Sequence, residues 1–434
     1  MRTAVAATWA LLLGIAFIMM GNGLQGSLLG IRAAAERFPT AVTGLVMSGY
    51  YIGFLAGSTL APRAVGRVGH ARVFGALASL ASVAALIHAV FVDPVTWTGM
   101  RIVTGFCYAG LYIVAESWLN DRSTNETRGQ LLSIYMVIQY IGLICGQFLL
   151  NLAPPSGFEL FTLISILISL SVLPVLLTTG PAPSFAAPVS VGLRQLYRVS
   201  PLGVLGCLGV GLAQSAFFGM GAVYGAEIGL SVPEISLFMS AMILGGIALQ
   251  WPVGRFSDRF DRRRVITTVT VLAAAAALGA VPVSAVSKTG LFALVCLFGG
   301  LSLPMYSLCV AHTNDFLRPD QMVAASSGLV LVFGIGAIFG PITVAWVMSG
   351  LGAAGFFLYL AAMHTAIGLF AVYRMFRRPA PPLEEQGPYI SVPPTASPMA
   401  ATLAPAPTDE EDRNEDSAES GSGRPDSERL AAEP

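Results

Sequence analysis

The chain has 434 residues, of which 55% are hydrophobic and 11% are charged, and its formal net charge is zero. A soluble domain usually carries roughly a quarter charged residues, so this composition excludes an ordinary water-soluble protein. Residues 379–434 hold 12 acids and 3 arginines, whereas residues 1–378 hold 12 acids and 21 basic residues, so a basic body precedes an acidic tail. We expect no nucleic-acid partner.

Apolar runs alternate with short polar breaks along the body of the chain. A bilayer core about 30 Å thick needs roughly 20 apolar helical residues per crossing, and backbone groups in lipid must bond within the helix. The first run continues past Met20 to about Ile31, which is too long for a signal peptide, so we interpret it as a spanning helix. We therefore predict an all-α integral membrane protein of the lipid bilayer, with about twelve transmembrane helices near residues 7–30, 41–62, 73–92, 97–117, 129–152, 158–179, 200–225, 233–253, 265–286, 290–311, 323–347 and 353–374.

Basic residues concentrate on one side of these predicted helices. With the N-terminus in the cytoplasm, the outer loops hold only Arg32, Arg37 and Lys288, and the inner loops carry most of the arginines. Inner loops of membrane proteins are enriched in Lys and Arg. We therefore expect a multi-pass protein of the bacterial inner membrane with both termini in the cytoplasm.

Polar and aromatic side chains recur at helical spacing inside several predicted spans. Residues three or four positions apart share one face of a helix, so such pairs mark candidate cavity walls. Each could instead join neighbouring helices through hydrogen bonds, which are worth about 0.6 kcal/mol in membranes. The candidates are Asn22 with Gln25, Tyr112 with Glu116, Tyr135 with Gln139, and Gln214 with Phe217 and Phe218.

Two charged residues lie in predicted span four. Arg101 is near its outer end, where burial costs roughly 3 kcal/mol, so we expect it to face a wet cavity or a partner, with snorkelling to the outer surface as the alternative. Glu116 is near the cytoplasmic end, where we expect it to pair with Arg67 or Arg72 as a gate acid. The alternatives for Glu116 are a proton carrier, whose pKa burial would raise, and a solvated helix end.

A polar stretch of about twenty residues follows span six and divides the chain. We predict an N-terminal six-helix bundle over residues 1–179, a cytoplasmic linker over 180–199 and a C-terminal six-helix bundle over 200–378. The Pro-, Ala- and Ser-rich residues 379–434 cannot bury enough apolar area to fold, so we expect a disordered acidic cytoplasmic tail.

Short segments of the two bundles resemble one another at nearly one offset. Residues 111–121 align with 305–315 at an offset of 194, and residues 67–72 align with 259–264 at an offset of 192. An offset of six helices leaves both copies facing the same side of the membrane. We therefore predict two parallel six-helix repeats rather than inverted ones.

Residues 254–263 form a predicted inner loop and read Gly-Arg-Phe-Ser-Asp-Arg-Phe-Asp-Arg-Arg. This segment resembles the signature loop of the major facilitator superfamily, which has Gly, three residues, Asp, a base, one residue, Gly and two bases. Asp261 replaces the second Gly of that pattern. The first-half copy, residues 66–72, keeps the spaced bases but has Gly66 in place of the acid.

The resemblance implies a latch at the cytoplasmic side. A carboxylate such as Asp258 would accept hydrogen bonds from the N-terminus of span five, near Arg128, when that side is closed. The loop arginines would pair with acids at other helix ends. A basic loop without a latch is the alternative. The expected cytoplasmic gate comprises Arg67, Arg72, Glu116, Asp121, Asp258, Arg259, Arg262, Arg263 and Asp315.

Further segments support the resemblance. Arg101–Gly105 resembles the Arg-x-x-Gln-Gly pattern of the superfamily, with Thr104 in place of Gln, and residues 115–120, 128–136 and 249–255 look like its poorly characterised YcaD-type branch. In the family, spans one, four, seven and ten line the pathway. The expected substrate cavity comprises Asn22, Gln25, Arg101, Tyr112, Gln139, Gln214 and Tyr306.

Little in the sequence indicates bond chemistry. The only lysine, Lys288, lies outside a phosphate-binding loop, and the four histidines and five cysteines form no metal-ligand pattern. Gly21–Gly26 matches a dinucleotide fingerprint, but it lies inside an apolar helix, so we interpret it as helix packing. We therefore expect no enzymatic activity, no cofactor and no bound metal.

We predict a secondary active transporter that moves a small organic solute by alternating access, with proton coupling as one way to drive it. We expect a monomer. An integral-membrane enzyme is a rival that would need a convergent set of catalytic groups. A sensor or scaffold that keeps the fold but does not transport is the second rival.

Overall fold

The computed structural model describes residues 2–124, 127–177, 192–377, 382–383 and 386–392. Within these residues all regular elements are helical, and twelve stretches are long and apolar enough to cross a membrane, which confirms the predicted all-α membrane class. A single 3₁₀ turn, Leu150–Leu152, extends α5. The helices are α1 Arg2–Ala35, α2 Thr40–Val68, α3 His70–Val90, α4 Pro94–Asp121, α5 Arg128–Leu149, α6 Glu159–Leu176, α7 Leu193–Val199, α8 Pro201–Glu227, α9 Val232–Arg259, α10 Arg262–Ser284, α11 Lys288–Ser302, α12 Met305–Asn314, α13 Pro319–Leu351 and α14 Ala354–Arg377.

Several helices begin where a side chain satisfies the first free backbone N–H groups. The Asp93 carboxylate accepts from the N–H groups of Val95 and Thr96 at 3.0 and 2.9 Å, and Pro94 follows as the first helical residue of α4. Ser287 caps α11 in the same way. Such caps stabilise a helix by about 1 kcal/mol, so the sequence itself fixes these starts.

Some helices extend well beyond the predicted apolar runs. Span two was expected to end near residue 62, but α2 continues through Pro62 to Val68, and α9 continues to Arg259. Hydropathy falls where polar residues begin, whereas helical hydrogen bonding continues into water. The predicted ends therefore marked the limit of the apolar core rather than the limit of the helix.

Predicted span ten is two helices rather than one. Helix α11 ends at Ser302 and α12 begins at Met305, with Leu303 and Pro304 between them. Proline has no N–H and its ring clashes with the preceding turn, so the hydrogen-bond ladder is interrupted there. The predicted span across residues 290–311 is confirmed as one candidate membrane crossing, Lys288–Asn314, with a break in its helix at Leu303 and Pro304.

The two predicted repeats correspond in the structure. Helix α4 starts at residue 94 and the α11–α12 pair at residue 288, an offset of 194, and α3 and α10 start at residues 70 and 262, an offset of 192. In the linker, α7 covers Leu193–Val199, and residues 178–191 lie outside the described residues. The predicted parallel arrangement is confirmed.

The two halves meet through α1 with α8, α2 with α13 and α5 with α9. We call the helix ends near Arg67, Arg128 and Arg259 the basic end, and the ends near Thr40 and Glu227 the opposite end. The halves touch closely at the opposite end, where the Thr40 hydroxyl lies 3.1 Å from a Glu227 carboxylate oxygen.

Small residues make this approach possible. A Cβ added to Gly44 of α2 would lie 2.5 Å from the Cβ of Ala345 and 2.6 Å from the carbonyl oxygen of Pro341, both on α13. One helical turn further along α2, the Ser48 hydroxyl donates to the carbonyl oxygen of Ile338 at 2.6 Å. The opposite end is therefore sealed by direct contact between backbones.

Candidate functional site

An arginine and a group of tyrosines form a buried cluster inside the N-terminal half. The guanidinium carbon of Arg101 lies 4.6 Å from the ring centroid of Tyr50, a cation–π geometry. The ring of Tyr50 is 6.1 Å from that of Tyr108, which is 6.2 Å from that of Tyr112. Arg101 is only 5% exposed. Arg101 thus lies against an aromatic ring, and whether it also faces a wet cavity stays a prediction, as does the alternative of snorkelling to the outer surface.

Close contact between α2 and α4 creates this cluster. A Cβ on Gly53 would lie 1.8 Å from the carbonyl oxygen of Ile102, and one on Gly105 would lie 1.9 Å from the carbonyl oxygen of Tyr50. Only glycine allows backbones this near. The spacing of small residues in the two helices therefore places the Tyr50 ring against Arg101.

Several polar atoms of this region have no hydrogen-bond partner among the described residues. They are Nε and Nη1 of Arg101 and the hydroxyls of Tyr50 and Tyr108; on α1, both side-chain polar atoms of Gln25 are likewise unpaired. An unpaired buried charge costs several kcal/mol. Donors of this kind, next to aromatic rings, suit a ligand that carries an anionic acceptor and an apolar body.

The predicted cavity residues only partly converge. Asn22 donates to the hydroxyl of Tyr112 at 3.3 Å and so joins the tyrosine cluster. The other three predicted residues lie apart from it: Gln214 donates to the carbonyl oxygen of Ser302 at 2.8 Å, Tyr306 packs edge-on against Phe333, and Gln139 lies beside Tyr135. The structure therefore assembles an N-terminal site from α1, α2 and α4.

Glu116 is completely buried and accepts a hydrogen bond of 3.0 Å from the hydroxyl of Tyr135 on α5. The expected gate partners, Arg67 and Arg72, are exposed on the surface. The expectation that Glu116 pairs with one of them as a gate acid stays a prediction. Burial disfavours the ionised carboxylate, as the proton-carrier alternative requires, whereas the donated hydrogen bond from Tyr135 favours it.

The second-half signature loop forms a charge cluster around Arg262. This arginine is 1% exposed and donates to the Asp315 carboxylate, to the carbonyl oxygen of Ala311 at 2.9 Å and to the hydroxyl of Ser257 at 3.1 Å. It also lies 3.6 Å from an oxygen of Asp258. The expected pairing of a loop arginine with Asp315 is present.

Asp261, which stands where the family has glycine, caps α10. Its carboxylate accepts from the backbone N–H of Arg263 at 3.0 Å and pairs with the Arg263 side chain at 2.8 Å. Burial would raise the pKa of Asp261, but the bonds from Arg263 outweigh it and hold that pKa below its ordinary value. The substitution therefore replaces a flexible turn residue with a helix cap.

The remaining predicted gate residues are separate from this cluster. Arg67, Arg72, Asp121 and Arg259 are exposed, and none of them makes an ion pair among the described residues. The first-half copy of the loop has Gly66 where an acid would anchor such a cluster. Only the second half therefore carries an assembled charge cluster.

A segment of the C-terminal tail lies at the basic end. Tyr389, Ile390 and Val392 of the described residues 386–392 pack against the helix bundle, and the expectation of a disordered tail stays a prediction; residues 393–434 lie outside the described residues. The backbone N–H of Tyr389 donates to Asp258 at 2.7 Å. With the basic end open, Asp258 therefore binds the chain's own tail, and its expected contact with the N-terminus of α5 in the closed gate stays a prediction.

Tyr389 and Ser391 of the tail segment help to line a cavity of about 660 Å³ between α5 and α9. One wall comes from α5 and includes Met136 and Tyr140, and the other comes from α9 and includes Gln250 and Gly254. Met136, Gln250 and Gly254 lie in the basic-end halves of their helices, and Tyr140 lies near the middle of α5. The two halves of the molecule are thus apart at the basic end and closed at the opposite end.

Sequence reasoning missed Tyr50, Tyr108 and the tail segment as functional features. Tyr50 could have been found from its position between glycines in a helix predicted to pack closely. The tail segment carries its own signal, because Tyr389, Ile390 and Val392 form an apolar, strand-prone stretch in a polar tail. Among the described residues there is no cluster of ligands that could hold a metal ion, and the five cysteines are not paired.

Comparisons with known proteins agree with this architecture. The family model for the Major Facilitator Superfamily matches residues 11–301 and 204–408. An uncharacterised MFS-type transporter of Enterobacter sp. is 28% identical over 379 residues, which cover 86% of this chain and 96% of the relative. The uncharacterised MFS-type transporter YcaD of Escherichia fergusonii is 28% identical over 344 residues, which cover 78% of this chain and 88% of the relative. These relatives confirm the predicted likeness to the YcaD-type branch.

Solved structures share the fold at low sequence identity. The nucleoside transporter NupG superposes with a TM-score of 0.70 at 14% identity, over 87% of this chain and 100% of that chain. A bacterial homologue of the human lysosomal transporter Spinster, in an inward-facing and unoccupied conformation, gives a TM-score of 0.63 at 13% identity, over 92% of this chain and 97% of that chain. Identity this low shows a common fold and nothing more specific.

Proposed function

This chain belongs to the major facilitator superfamily, and from that premise we propose that it is a secondary active transporter that moves a small organic solute across the bacterial inner membrane by alternating access. The observation that carries the proposal is the asymmetry between the two ends of the molecule. The halves are sealed at the opposite end by the contacts of Gly44 and Ser48, and they are separated at the basic end by a cavity. Rocking of two rigid bundles requires such an asymmetry in each of its end states.

The basic end is proposed to face the cytoplasm, together with both termini. The positive-inside bias of the loops supports this orientation. The division into bundles at residues 1–179 and 200–378, joined by the linker at 180–199, follows the helix repeat, and a monomer contains both bundles of the pathway. No covalent chemistry is required for this activity.

The solute site is proposed to lie at the Arg101 cluster in the N-terminal half. Its guanidinium has two unpaired nitrogens and stacks on Tyr50, and Gln25 of α1 also has an unpaired amide. A ligand with a carboxylate or similar anionic group would satisfy the guanidinium, and the rings of Tyr108 and Tyr112 would contact its apolar part. The proposed substrate class is therefore a small organic anion with an aromatic or aliphatic body.

Glu116 is proposed to carry a coupling proton. It is the carboxylate buried against Tyr135, on the same helix as Arg101 and about 22 Å further toward the basic end. This separation prevents a direct ion pair between the two residues. Proton and anion would therefore use different positions along α4 and be coupled through movement of the half that contains both.

The second-half charge cluster is proposed to act as the cytoplasmic gate. Arg262 and Asp315 hold the basic ends of α10 and α12 together, and Asp258 projects beside them with a 43% exposed side chain. An exposed carboxylate at a helix end can accept from a neighbouring helix N-terminus when the halves close. The proposed gate is one-sided, because the first half lacks the equivalent acid.

A binding screen followed by transport tests the function. Purified full-length protein is heated with small organic carboxylates and sulfonates, each compared with its neutral amide, and the anions that raise the unfolding temperature are taken to uptake into liposomes. Transport predicts that the stabilising anions accumulate. A sensor or scaffold would bind such anions without moving them, and absence of both stabilisation and uptake for every anion contradicts the proposed substrate class.

A further inference from the structure

The tail segment Gln386–Val392 enters the molecule rather than lying across its surface. At one end, Arg262 donates to the carbonyl oxygen of Gly387. At the other end, the N–H and C=O of Val392 both bond to the hydroxyl of Ser307, each at 3.0 Å. Ser307 and Asp315 are eight positions apart on α12, which is roughly 12 Å along a helix. The segment therefore penetrates about two helical turns from the basic end.

The middle of the segment is held by α9. The amide of Gln250 donates to the Tyr389 hydroxyl at 2.9 Å and to the Ser391 hydroxyl at 2.6 Å. The Tyr389 ring lies over Gly254, where an added Cβ would be 2.5 Å from a ring carbon. Polar groups of the segment thus form hydrogen bonds with specific side chains instead of with water. These bonds distinguish the segment from a tail that lies loosely on the surface.

The segment also reaches the other half of the molecule. The Ser391 hydroxyl lies 3.6 Å from the sulfur of Met136 on α5, and Tyr389 shares a cavity with Tyr140. The segment therefore contacts both α5 and α9 and lies in the region where the two halves would approach one another. Closure of the basic end and occupancy by the segment exclude each other on steric grounds.

Docking of the segment and closure of the gate also compete for the carboxylate of Asp258. Asp258 accepts from the Tyr389 N–H, and in the closed gate it would accept from the N-terminus of α5. While the segment is docked, Arg262 is also committed to the Gly387 carbonyl. The segment therefore competes with the latch for its own residues.

We propose that residues 386–392 are an autoinhibitory plug, which keeps the basic end open and must leave the groove between α5 and α9 before the transporter can complete its cycle. This inference rests on the proposed alternating access. Docking of the plug stabilises the conformation that is sealed at the opposite end. The protein then stays in this end state and does not complete the transport cycle.

Two truncations test the plug. One chain ends at Glu385 and lacks the segment; the matched control ends at Val392 and keeps it. Both carry Ser48→Cys, a reporter buried in the seal at the opposite end, and intact cells are treated with a membrane-impermeant maleimide. Protein without the reporter cysteine gives the background from the native cysteines.

Removal of the segment should raise the labelling rate of the reporter about tenfold, because the seal opens more often when the basic end can close. The chain that ends at Val392 should label like the full-length protein. Equal, measurable rates in all three proteins would overturn the plug and leave alternating access standing. Absence of labelling in all three would overturn alternating access and the plug with it.

A point variant gives a second measurement without truncation. Gly254→Ala places a methyl group against the Tyr389 ring, and alanine is favoured over glycine inside a helix by about 1 kcal/mol, so α9 itself should be stable. Gly350→Ala, where an added Cβ meets nothing within 4 Å, is the matched control in α13. Faster labelling in Gly254→Ala alone supports the plug, and equal rates in the two variants contradict it.

Discussion

The backbone N–H of Tyr389 and the carboxylate of Asp258 are joined by a hydrogen bond of 2.7 Å, although the two residues are 131 positions apart. Asp258 belongs to the signature loop and Tyr389 to the acidic tail. The carboxylate that we expect to join two helices therefore accepts a hydrogen bond from the C-terminal tail of the same chain. The state of the basic end depends on which of the two partners Asp258 has.

A disulfide across the opposite end should arrest transport. A Cβ on Gly30 of α1 would lie 3.1 Å from the Cβ of Ala222 on α8, close to the Cβ separation in disulfides, so Gly30→Cys with Ala222→Cys should cross-link on oxidation. Uptake into liposomes should stop when the pair is oxidised and return on reduction. Each single variant serves as the control. Continued uptake by fully cross-linked protein is incompatible with alternating access.

Replacement of Arg101 should separate binding from stability. Arg101→Met should bind the anions at least tenfold more weakly, as expected for the loss of a charged hydrogen bond of about 1.5–3 kcal/mol. The anions should therefore stabilise this variant less than they stabilise the unchanged protein. Without ligand, the variant should unfold at the same or a higher temperature, because an incompletely paired buried charge has been removed.

Arg194→Met, at an exposed position of α7, is the control for loss of a positive charge and should change neither property. Both are measured by thermal unfolding with and without the carboxylates of the screen. Unchanged anion affinity in Arg101→Met rules out a role for this guanidinium in solute binding.

Loss of the Glu116 carboxylate should uncouple transport from the pH gradient. Glu116→Gln keeps a hydrogen-bonding group for Tyr135 but cannot release a proton. We expect exchange of solute across the membrane to continue and accumulation driven by a pH gradient to be lost. Glu159→Gln, an exposed acid at the start of α6, is the control. If pH-driven accumulation survives in Glu116→Gln, another group carries the proton.

Asp315 should make the stability of the protein depend on pH. The pKa of Asp315 is raised to about 6, chiefly by burial and to a smaller extent by neighbouring Asp258, against the opposing effects of Arg262 and the N–H of Gly387. A carboxyl whose pKa is higher in the folded protein binds more protons there than in the unfolded chain. Its contribution therefore favours the folded state at low pH and is lost as the pH rises from about 4 through about 6.

The loss should amount to at most about 3 kcal/mol, since one pKa unit corresponds to about 1.4 kcal/mol. Thermal unfolding of the detergent-solubilised protein between pH 4 and 7 measures it. In Asp315→Asn the decline across this window should be smaller than in the unchanged protein, whereas the exposed Asp121→Asn should follow the unchanged protein. Parallel profiles in all three proteins would show that Asp315 does not titrate in this window.

The twelve helices and their two-fold repetition were predictable, because membrane spans follow from runs of apolar residues and the copies keep recognisable residues at a common offset. Helix ends were less predictable. Hydropathy reports where lipid ends, but hydrogen bonding carries α2 and α9 further into water. Pro304 lies at the break between α11 and α12, whereas Pro62 and Pro252 lie inside continuous helices. A proline in the sequence therefore does not by itself predict a break in a helix.

The site was predictable only in part. Arg101 could be singled out because a charge within an apolar run needs a reason, and Asn22 and Tyr112 followed from helical spacing. Their shared partner Tyr50 depends on how closely α2 approaches α4, which is a property of packing between distant segments. The hydrogen bond from Tyr135 to Glu116 was not predicted for the same reason, since the depth of a residue within the bundle cannot be read from its position along one helix.

Only nine positions separate the last residue of α14, Arg377, from Gln386. A linker this short reaches at most about 30 Å and holds the segment near its groove at an effective concentration in the millimolar range. Because the segment is tethered to the helix bundle, dilution of the protein does not lower the effective concentration of the segment at its groove. The balance between the docked and released forms must then be set by the affinity of the segment, and any tag or cleavage near the C-terminus changes the protein under measurement.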